Sequence, residues 1–453
     1  MANKKTVYIF GAGASAASNL PIQNNLIKAI FTLKEPKLNY RDSFLNTETI
    51  DSLIIDQYST FEKSRRTISE FIISNFGDLD LFNFFMQAFS QLSVTDDNKH
   101  SDKSHMKESV LESSEYNIVN SWNKVYSYIK DMELSLEDIF TLLDKAIILK
   151  DFFIDYSLNE LIDIQKKLNN CIVYTLHYKI KEYNSFPLYE ELANYFVSKR
   201  LSYKQKDDNF SIITLNWDTL LDKHLFLASQ NYNIKNNKRK ILPDYCYYNY
   251  DMNNLLPSTL IKAKGYYNIK IMKLHGSINW LLCSNCGRLF TDYMNNISLY
   301  GMDEDSSRGN FKCNFCNDLN RKNSSMYVII TPTFIKSLNN IHLKSIWHNA
   351  YLDLSNASEI VFIGYSFPEA DFELRYLLKK AIRPDANIKV ILHQVDNPTA
   401  HLNCIKKTCS NESKILIEQK LNLPYKRYKS FFGNHNISFS YDGLEKAFRD
   451  GFF

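Results

Sequence analysis

Six short runs of β-branched and aromatic residues limit most tightly what this chain can fold into: Thr6–Phe10, Ser211–Leu215, Lys270–Leu274, Tyr327–Thr331, Glu359–Ile363 and Lys389–Val395. Each has the length of a buried strand and is too short for a helix. Each also runs straight into polar or glycine-bearing sequence: Gly-Ala-Gly-Ala-Ser, Asn-Trp-Asp, His-Gly-Ser, Pro-Thr, Gly-Tyr-Ser and Asp-Asn-Pro. In an open parallel sheet the carboxyl ends of the strands line one edge, and ligands bind along it. The pattern predicts an α/β fold with a Rossmann-like parallel sheet and one site assembled from distant segments. Ordinary turns after ordinary strands would not favour Asn, His and Ser so consistently.

Between Phe31 and Asn209 the texture changes. Thr67–Leu92, Ser135–Phe153 and Leu158–Tyr183 carry apolar residues at helical spacing. Ser135-Leu136-Glu137-Asp138 reads as a capping box that opens a helix, and the polar stretch Thr95–Glu115 reads as a loop. This predicts a large inserted helical domain over 31–205. The sheet domain is then built from 1–30, 206–282 and 327–400, with a cysteine lobe over 283–326 and a C-terminal extension over 401–453. No internal repeat is evident.

With 54 Lys+Arg against 50 Asp+Glu, the balance is too even to indicate a nucleic-acid or membrane surface. No run approaches the ~18 apolar residues of a membrane span. Lys4-Lys5, then Val7–Phe10, then Ala14-Ser15-Ala16 imitates a secretory signal, but the apolar core is only four residues before glycine intervenes. A reduced cytoplasm is the expected location. Glycine is scarce, 12 in 453 residues where ~7% is usual, so each glycine is expected where backbone geometry demands it.

Gly11-Ala12-Gly13-Ala14-Ser15-Ala16 comes after the first run and precedes helix-compatible sequence. Such a turn either brings backbone amides against a pyrophosphate at a helix N-terminus or is simply a tight structural turn. No acidic residue closes a second strand soon after, which disfavours an ordinary dehydrogenase. Asn216 at the next strand end offers both a donor and an acceptor. Asp218 either accepts from an amide or caps the next helix. His275, given room by Gly276, shares that edge. A lone histidine is more often structural than catalytic, but histidine is the side chain whose ordinary titration falls near neutrality, as a general base requires. Gly364-Tyr365-Ser366-Phe367-Pro368 and Gln394-Val395-Asp396-Asn397-Pro398 end two late runs. They are candidate ribose or phosphate contacts through Gly364, Ser366 and Asp396, or plain strand-to-helix turns.

Cys283-x-x-Cys286 and Cys313-x-x-Cys316 form the strongest local signal. Two such knuckles make a closed, tetrahedral structural zinc site. The 26 intervening residues exceed the usual ~15–20, so the lobe is enlarged. A redox dithiol is the competing reading. Four sulfur ligands leave the metal no open position for chemistry.

These pieces, in this order, resemble the sirtuin superfamily over residues 5–30 and about 210–400. The resemblance implies that Gly11, Ala12, Gly13, Ser15, Gly364, Ser366 and Asp396 line an NAD site and that Asp218 meets the nicotinamide amide. It makes Asn216 and His275 the catalytic pair. Sirtuin deacylases, however, carry Gln where this chain has Leu215, and Asp-Phe-Arg where it has Ile22-Gln23-Asn24. They also carry a Phe-Gly-Glu peptide-pairing segment where it reads Ile330-Thr331-Pro332-Thr333-Phe334. The helical insert and the run Gly364 to Phe372 look like the bacterial branch that hydrolyses NAD in antiphage defence. The implied activity is an NAD glycohydrolase kept silent until triggered, with structural zinc. The implied partners are further copies of itself and a neighbouring-gene ATPase or sensor subunit. An NAD-dependent protein deacylase and a non-catalytic NAD or ADP-ribose sensor are the alternatives.

Overall fold

The computed structural model describes residues 4–34, 47–76, 122–131, 134–150, 156–183, 185–236, 238–247, 266–294, 313, 316, 325–329, 340–393 and 424–453. In chain order the elements begin with β1 (Lys5–Phe10), α1 (Ala12–Ala16), α2 (Gln23–Thr32), α3 (Thr47–Phe76), α4 (Leu136–Leu149), α5 (Leu158–Glu182) and α6 (Pro187–Leu201). Next come β2 (Phe210–Thr214), α7 (Leu220–Lys235), β3 (Lys240–Asp244), β4 (Tyr266–Lys273), β5 (Gly276–Cys283), β6 (Leu289–Thr291) and β7 (Ser325–Ile329). The last are α8 (Ile341–Ser355), β8 (Ala357–Ile363), α9 (Phe372–Ala381), β9 (Asn387–Ile391), α10 (Pro424–Phe431), β10 (Ile437–Ser440) and α11 (Gly443–Arg449). The chain divides into two compact units, one of Met1–Ile22, Lys179–Gly301 and Phe311–Phe453, the other of Gln23–Tyr178 and Met302–Asn310.

The first unit is an α/β unit around a seven-stranded sheet in the order β10-β9-β8-β1-β2-β4-β3, with every described pairing parallel. β1 lies in the middle, and Val7, Tyr8, Ile9 and Phe10 are buried together. Such a continuous apolar run is what a strand covered on both faces requires. The register carries one row across the sheet: Ile391, Ile363, Phe10, Thr214 and Lys273 are successive partners. The carboxyl ends of five strands therefore finish level, and the turn after each strand emerges on one edge.

Three features differ from the sequence reading. The run Tyr327–Thr331 does not join the parallel sheet. Its strand, β7, pairs antiparallel with β5 in a separate three-stranded sheet, β6-β5-β7, that carries the cysteines. A short apolar run bears no mark of its partner's direction. Two edge strands, β3 and β10, had no distinct pattern in the sequence, and β10 comes from the C-terminal extension. α6, read as part of the helical insert, packs Tyr189, Leu192, Ala193, Phe196 and Val197 into the sheet's core.

The second unit is helical. α4 opens with the capping box: Ser135 Oγ accepts from the Asp138 backbone N–H at 3.1 Å, and Asp138 accepts from the Ser135 N–H at 3.0 Å. Arg65 on α3 is 1% exposed, donates to the carbonyls of Ile30 and Leu33, and lies over Trp122 at 4.2 Å. Its charge thus satisfies carbonyls at the C-terminal end of α2 that the helix itself leaves unpaired.

Candidate active site at the carboxyl edge of the sheet

Because Thr214 and Lys273 are Cα partners, Asn216 and His275 stand two residues beyond one register position on neighbouring strands. Strands in a sheet lie about 4.8 Å apart. The Leu274 N–H donates to the Thr214 carbonyl at 3.1 Å, so the two ends leave the sheet together. Asn216 and His275 are each 8% exposed. Gly276, at φ +74°, then reverses the chain directly into β5.

The Asn216 side chain is anchored by its donors. Nδ2 donates to the Gly11 carbonyl at 3.0 Å and to Ser15 Oγ at 2.9 Å. Oδ1 is buried and has no hydrogen-bond partner among the described residues. Ser15 in turn donates to Asp218 Oδ2 at 2.7 Å. Its single proton is thereby used, so the Tyr189 hydroxyl at 3.2 Å must be the donor of that pair. Asp218 Oδ1 accepts from the Leu220 N–H at 3.1 Å, so the carboxylate does bond into the start of α7 as well. Burial pushes the Asp218 carboxyl up, against the opposing pull of Lys273, Ser15 and the Leu220 amide.

Behind this layer lies a second one that the sequence reading did not single out. Lys273, fully buried, donates to the Asp218 carbonyl at 2.6 Å and to Asp222 Oδ2 at 3.0 Å. Asp222 Oδ1 accepts from the Tyr245 hydroxyl at 2.7 Å, which accepts from Asn279 Nδ2 at 2.8 Å. The chain of bonds runs from the turn after β2 into β5. The available signal was a lysine and an aspartate within otherwise apolar stretches, where charges are retained only if paired.

The glycine turn is built differently from a phosphate cradle. The amides of Gly11, Gly13 and Ala14 are given to the carbonyls of Ile363, Gly364 and Gly11 at 2.9, 2.8 and 3.0 Å. A Cβ on Gly13 would meet the Gly364 carbonyl oxygen at 2.7 Å, and one on Gly364 (φ +61°) would meet the Ala14 nitrogen at 2.1 Å. The glycines are needed because two backbones touch. α1 is only five residues long, and Ala12 and Gly13 are exposed. Ser15, expected to face phosphate, is turned inward and saturated. Ser366 is exposed in the turn after β8, whereas Asp396 lies outside the described residues.

On the far side of that turn, Asp371 Oδ2 accepts from the Tyr365 hydroxyl at 2.8 Å, and Oδ1 lies 3.7 Å from His275 Nε2. The Tyr365 carbonyl accepts from the Tyr428 hydroxyl at 3.0 Å. Phe367 takes φ +57° and is fully buried against Tyr428, Phe431 and Phe432, packing that holds an otherwise unfavourable backbone.

In the lobe, the sulfurs of Cys283, Cys286, Cys313 and Cys316 lie within 4.8 Å of one another. Cys283–Cys316 and Cys286–Cys313 are each 3.7 Å apart. That is far longer than the ~2.05 Å of a disulfide. It matches the ~3.8 Å between neighbouring sulfurs on a tetrahedral zinc with ~2.3 Å bonds. Burial raises the Cys286 thiol, yet the Arg288 amide and the neighbouring thiols outweigh it and bring it to about 7, while burial sends Cys316 up to about 12. Four thiols so close cannot all ionise without a cation among them. The donor set fits zinc, which Cys283, Cys286, Cys313 and Cys316 would hold as a closed structural site.

No protein-family model and no curated protein matches the sequence. Among solved structures, this chain is similar to a Sir2–p53 peptide–NAD+ complex, at 10% identity and a TM-score of 0.29, over 85% of this chain and 80% of that one. It is likewise similar to Sir2Tm bound to a propionylated peptide, at 12% identity and a TM-score of 0.28, over the same shares. At those TM-scores no residue is equated across the pairs. Among the described residues no helix is long and apolar enough to cross a membrane.

Proposed function

We propose that this chain is an NAD glycohydrolase that releases nicotinamide and ADP-ribose, an antiphage effector held silent until triggered. The observation that carries the reading is the shared register of Asn216 and His275, with the buried acceptor Oδ1 of Asn216 unpartnered among the described residues. NAD already carries a cationic pyridinium as its leaving group, so no acid is needed to expel it. The bond from ribose C1′ to the ring nitrogen breaks, and its electron pair neutralises the pyridinium. Water adds to C1′ and its proton passes to His275. Asn216 Oδ1 accepts from that water or from a ribose hydroxyl and so sets its direction. Positioning of this kind supplies up to about 7–11 kcal/mol in the best intramolecular cases.

The sequence after β7 argues the same way. The segment that pairs an acyl-lysine peptide in deacylases has no counterpart in Ile330-Thr331-Pro332-Thr333-Phe334. We assign the gating contacts, whether with further copies of the chain or with a neighbouring-gene ATPase or sensor, to the helical unit. The test is purified protein with NAD, without acylated peptide, analysed by chromatography. Nicotinamide and ADP-ribose should appear in equal amounts and vanish in Asn216→Ala and His275→Ala proteins that remain folded. Release only on adding an acyl-lysine peptide would make the protein a deacylase, and thermal stabilisation by NAD without turnover would make it a sensor.

A further inference from the structure

Asp371 occupies the N-cap position of α9, where an aspartate ordinarily turns its carboxylate onto the first free amides of the helix. Here it makes no side-chain capping bond at all. Both oxygens point elsewhere, Oδ2 to the Tyr365 hydroxyl at 2.8 Å and Oδ1 towards His275 Nε2 at 3.7 Å. Giving up a cap costs the helix stability, and burying a carboxylate (Asp371 is 8% exposed) costs more unless it is partnered. The surroundings hold the carboxylate where it is. Tyr365 is pinned through its carbonyl by Tyr428, and its turn is locked to the β1 turn by the Gly13–Gly364 backbone contact.

We propose that Asp371 is a positioning residue for His275, orienting the imidazole through Nε2–H and stabilising the imidazolium that forms when the ring takes a proton at its other nitrogen. The inference rests on the reading of His275 as the base in nicotinamide release. When His275 takes a proton from water or a ribose hydroxyl, the imidazolium forms against a carboxylate already in place. The separation is longer than a hydrogen bond, as such pairs commonly are before substrate binds. Among the described residues, titratable groups on the surrounding elements include Lys273 on β4, Asp218 in the turn after β2, Asp222 on α7, Tyr365 and Glu369 in the turn after β8, and Asp371 and Glu373 at the head of α9. α8 contributes the Trp347 indole, which donates to the Leu274 carbonyl at 2.9 Å.

The experiment is an NMR titration of the His275 ring in the full chain, its signal assigned by loss in His275→Gln, alongside the pH profile of nicotinamide release. A carboxylate within about 4–6 Å favours the charged imidazole. In Asp371→Asn the His275 midpoint should therefore fall by about one unit, a tenfold loss of proton affinity, and the acidic limb of the rate profile should move to lower pH with it. The rate plateau should drop about 10- to 100-fold. Asp371→Glu should restore the midpoint and part of the rate. An unmoved midpoint in folded Asp371→Asn protein would overturn the pairing, as would a wild-type rate profile. A wild-type protein that never releases nicotinamide would instead remove the glycohydrolase reading, while the titration still decides the pair.

Discussion

An asparagine whose amide protons are both engaged has one group left for a ligand, and in Asn216 that group is a buried carbonyl oxygen. Leaving it unpaired costs the fold about 1–3 kcal/mol, which makes the residue a poor choice for stability alone. Its two donors are equally informative, because Asn216→Asp keeps the shape and removes them. The new carboxylate would face the Gly11 carbonyl and share Ser15 with Asp218. Such a variant should lose about 2–4 kcal/mol in urea unfolding at pH 7. The deficit should shrink by pH 5, as protonation returns a donor. An equal deficit at both pH values would mean that the amide donors do not matter. Sequence was enough to bring Asn216, Asp218 and His275 to one edge, since each ends an apolar run. It was not enough to say which way Ser15 faces, because a small hydroxyl suits both a phosphate and a buried carboxylate. Asp371 went unmarked for a related reason: an aspartate before a helix reads as a cap, and only coordinates reveal that it does not act as one.

At the scale of elements, β4 and β5 succeed one another with only Leu274 and His275 between them. The candidate base is thus held between the parallel sheet and the cysteine lobe. The lobe's paired knuckles were plain from spacing, whereas the direction of β7 was not, since period and composition are the same for parallel and antiparallel partners. β5 depends on the lobe for both of its neighbours, β6 and β7, and carries Asn279, which supports Tyr245 and Asp222. Metal removal should therefore reach the site. A strong chelator should lower the melting temperature by about 5 °C or more, and nicotinamide release should fall in parallel and return with added zinc. Elemental analysis should find about one zinc per chain; clean, folded protein without zinc would sink the assignment. Gly11 and Gly13 teach a similar lesson. Their scarcity value was visible, but the backbone they accommodate belongs to Gly364 and Tyr365, some 350 residues away in sequence.

Across the whole sheet unit, folding must bring together strands separated by nearly the full chain, and charge marks where they join. Lys5 at the start of β1 donates to Asp208 at 2.8 Å and to Asp353 on α8 at 2.6 Å. Lys270 on β4 donates to the same two residues, at 2.6 Å to Asp208 and 3.1 Å to Asp353. Two cations and two anions, three of them nearly buried, cancel. Lys270 is pushed down by burial but raised further by Asp353 and Asp208. Asp208 is pushed up by burial but lowered further by Lys270 and Lys5. The signs set the pH window. The lowered Asp208 contributes stability above its unfolded value near 3.9, lost as pH falls through its folded one. The raised Lys270 contributes below about 10.4, lost as pH rises through its own. Removing one partner is worse than removing a pair, because a lone buried charge remains. Lys270→Met should thus cost roughly 3 kcal/mol in denaturant midpoint at pH 7, and adding Asp353→Leu should recover much of it by restoring the Lys5–Asp208 pair. If the double variant were the sum of two losses, the four charges would be independent contacts and not one coupled network.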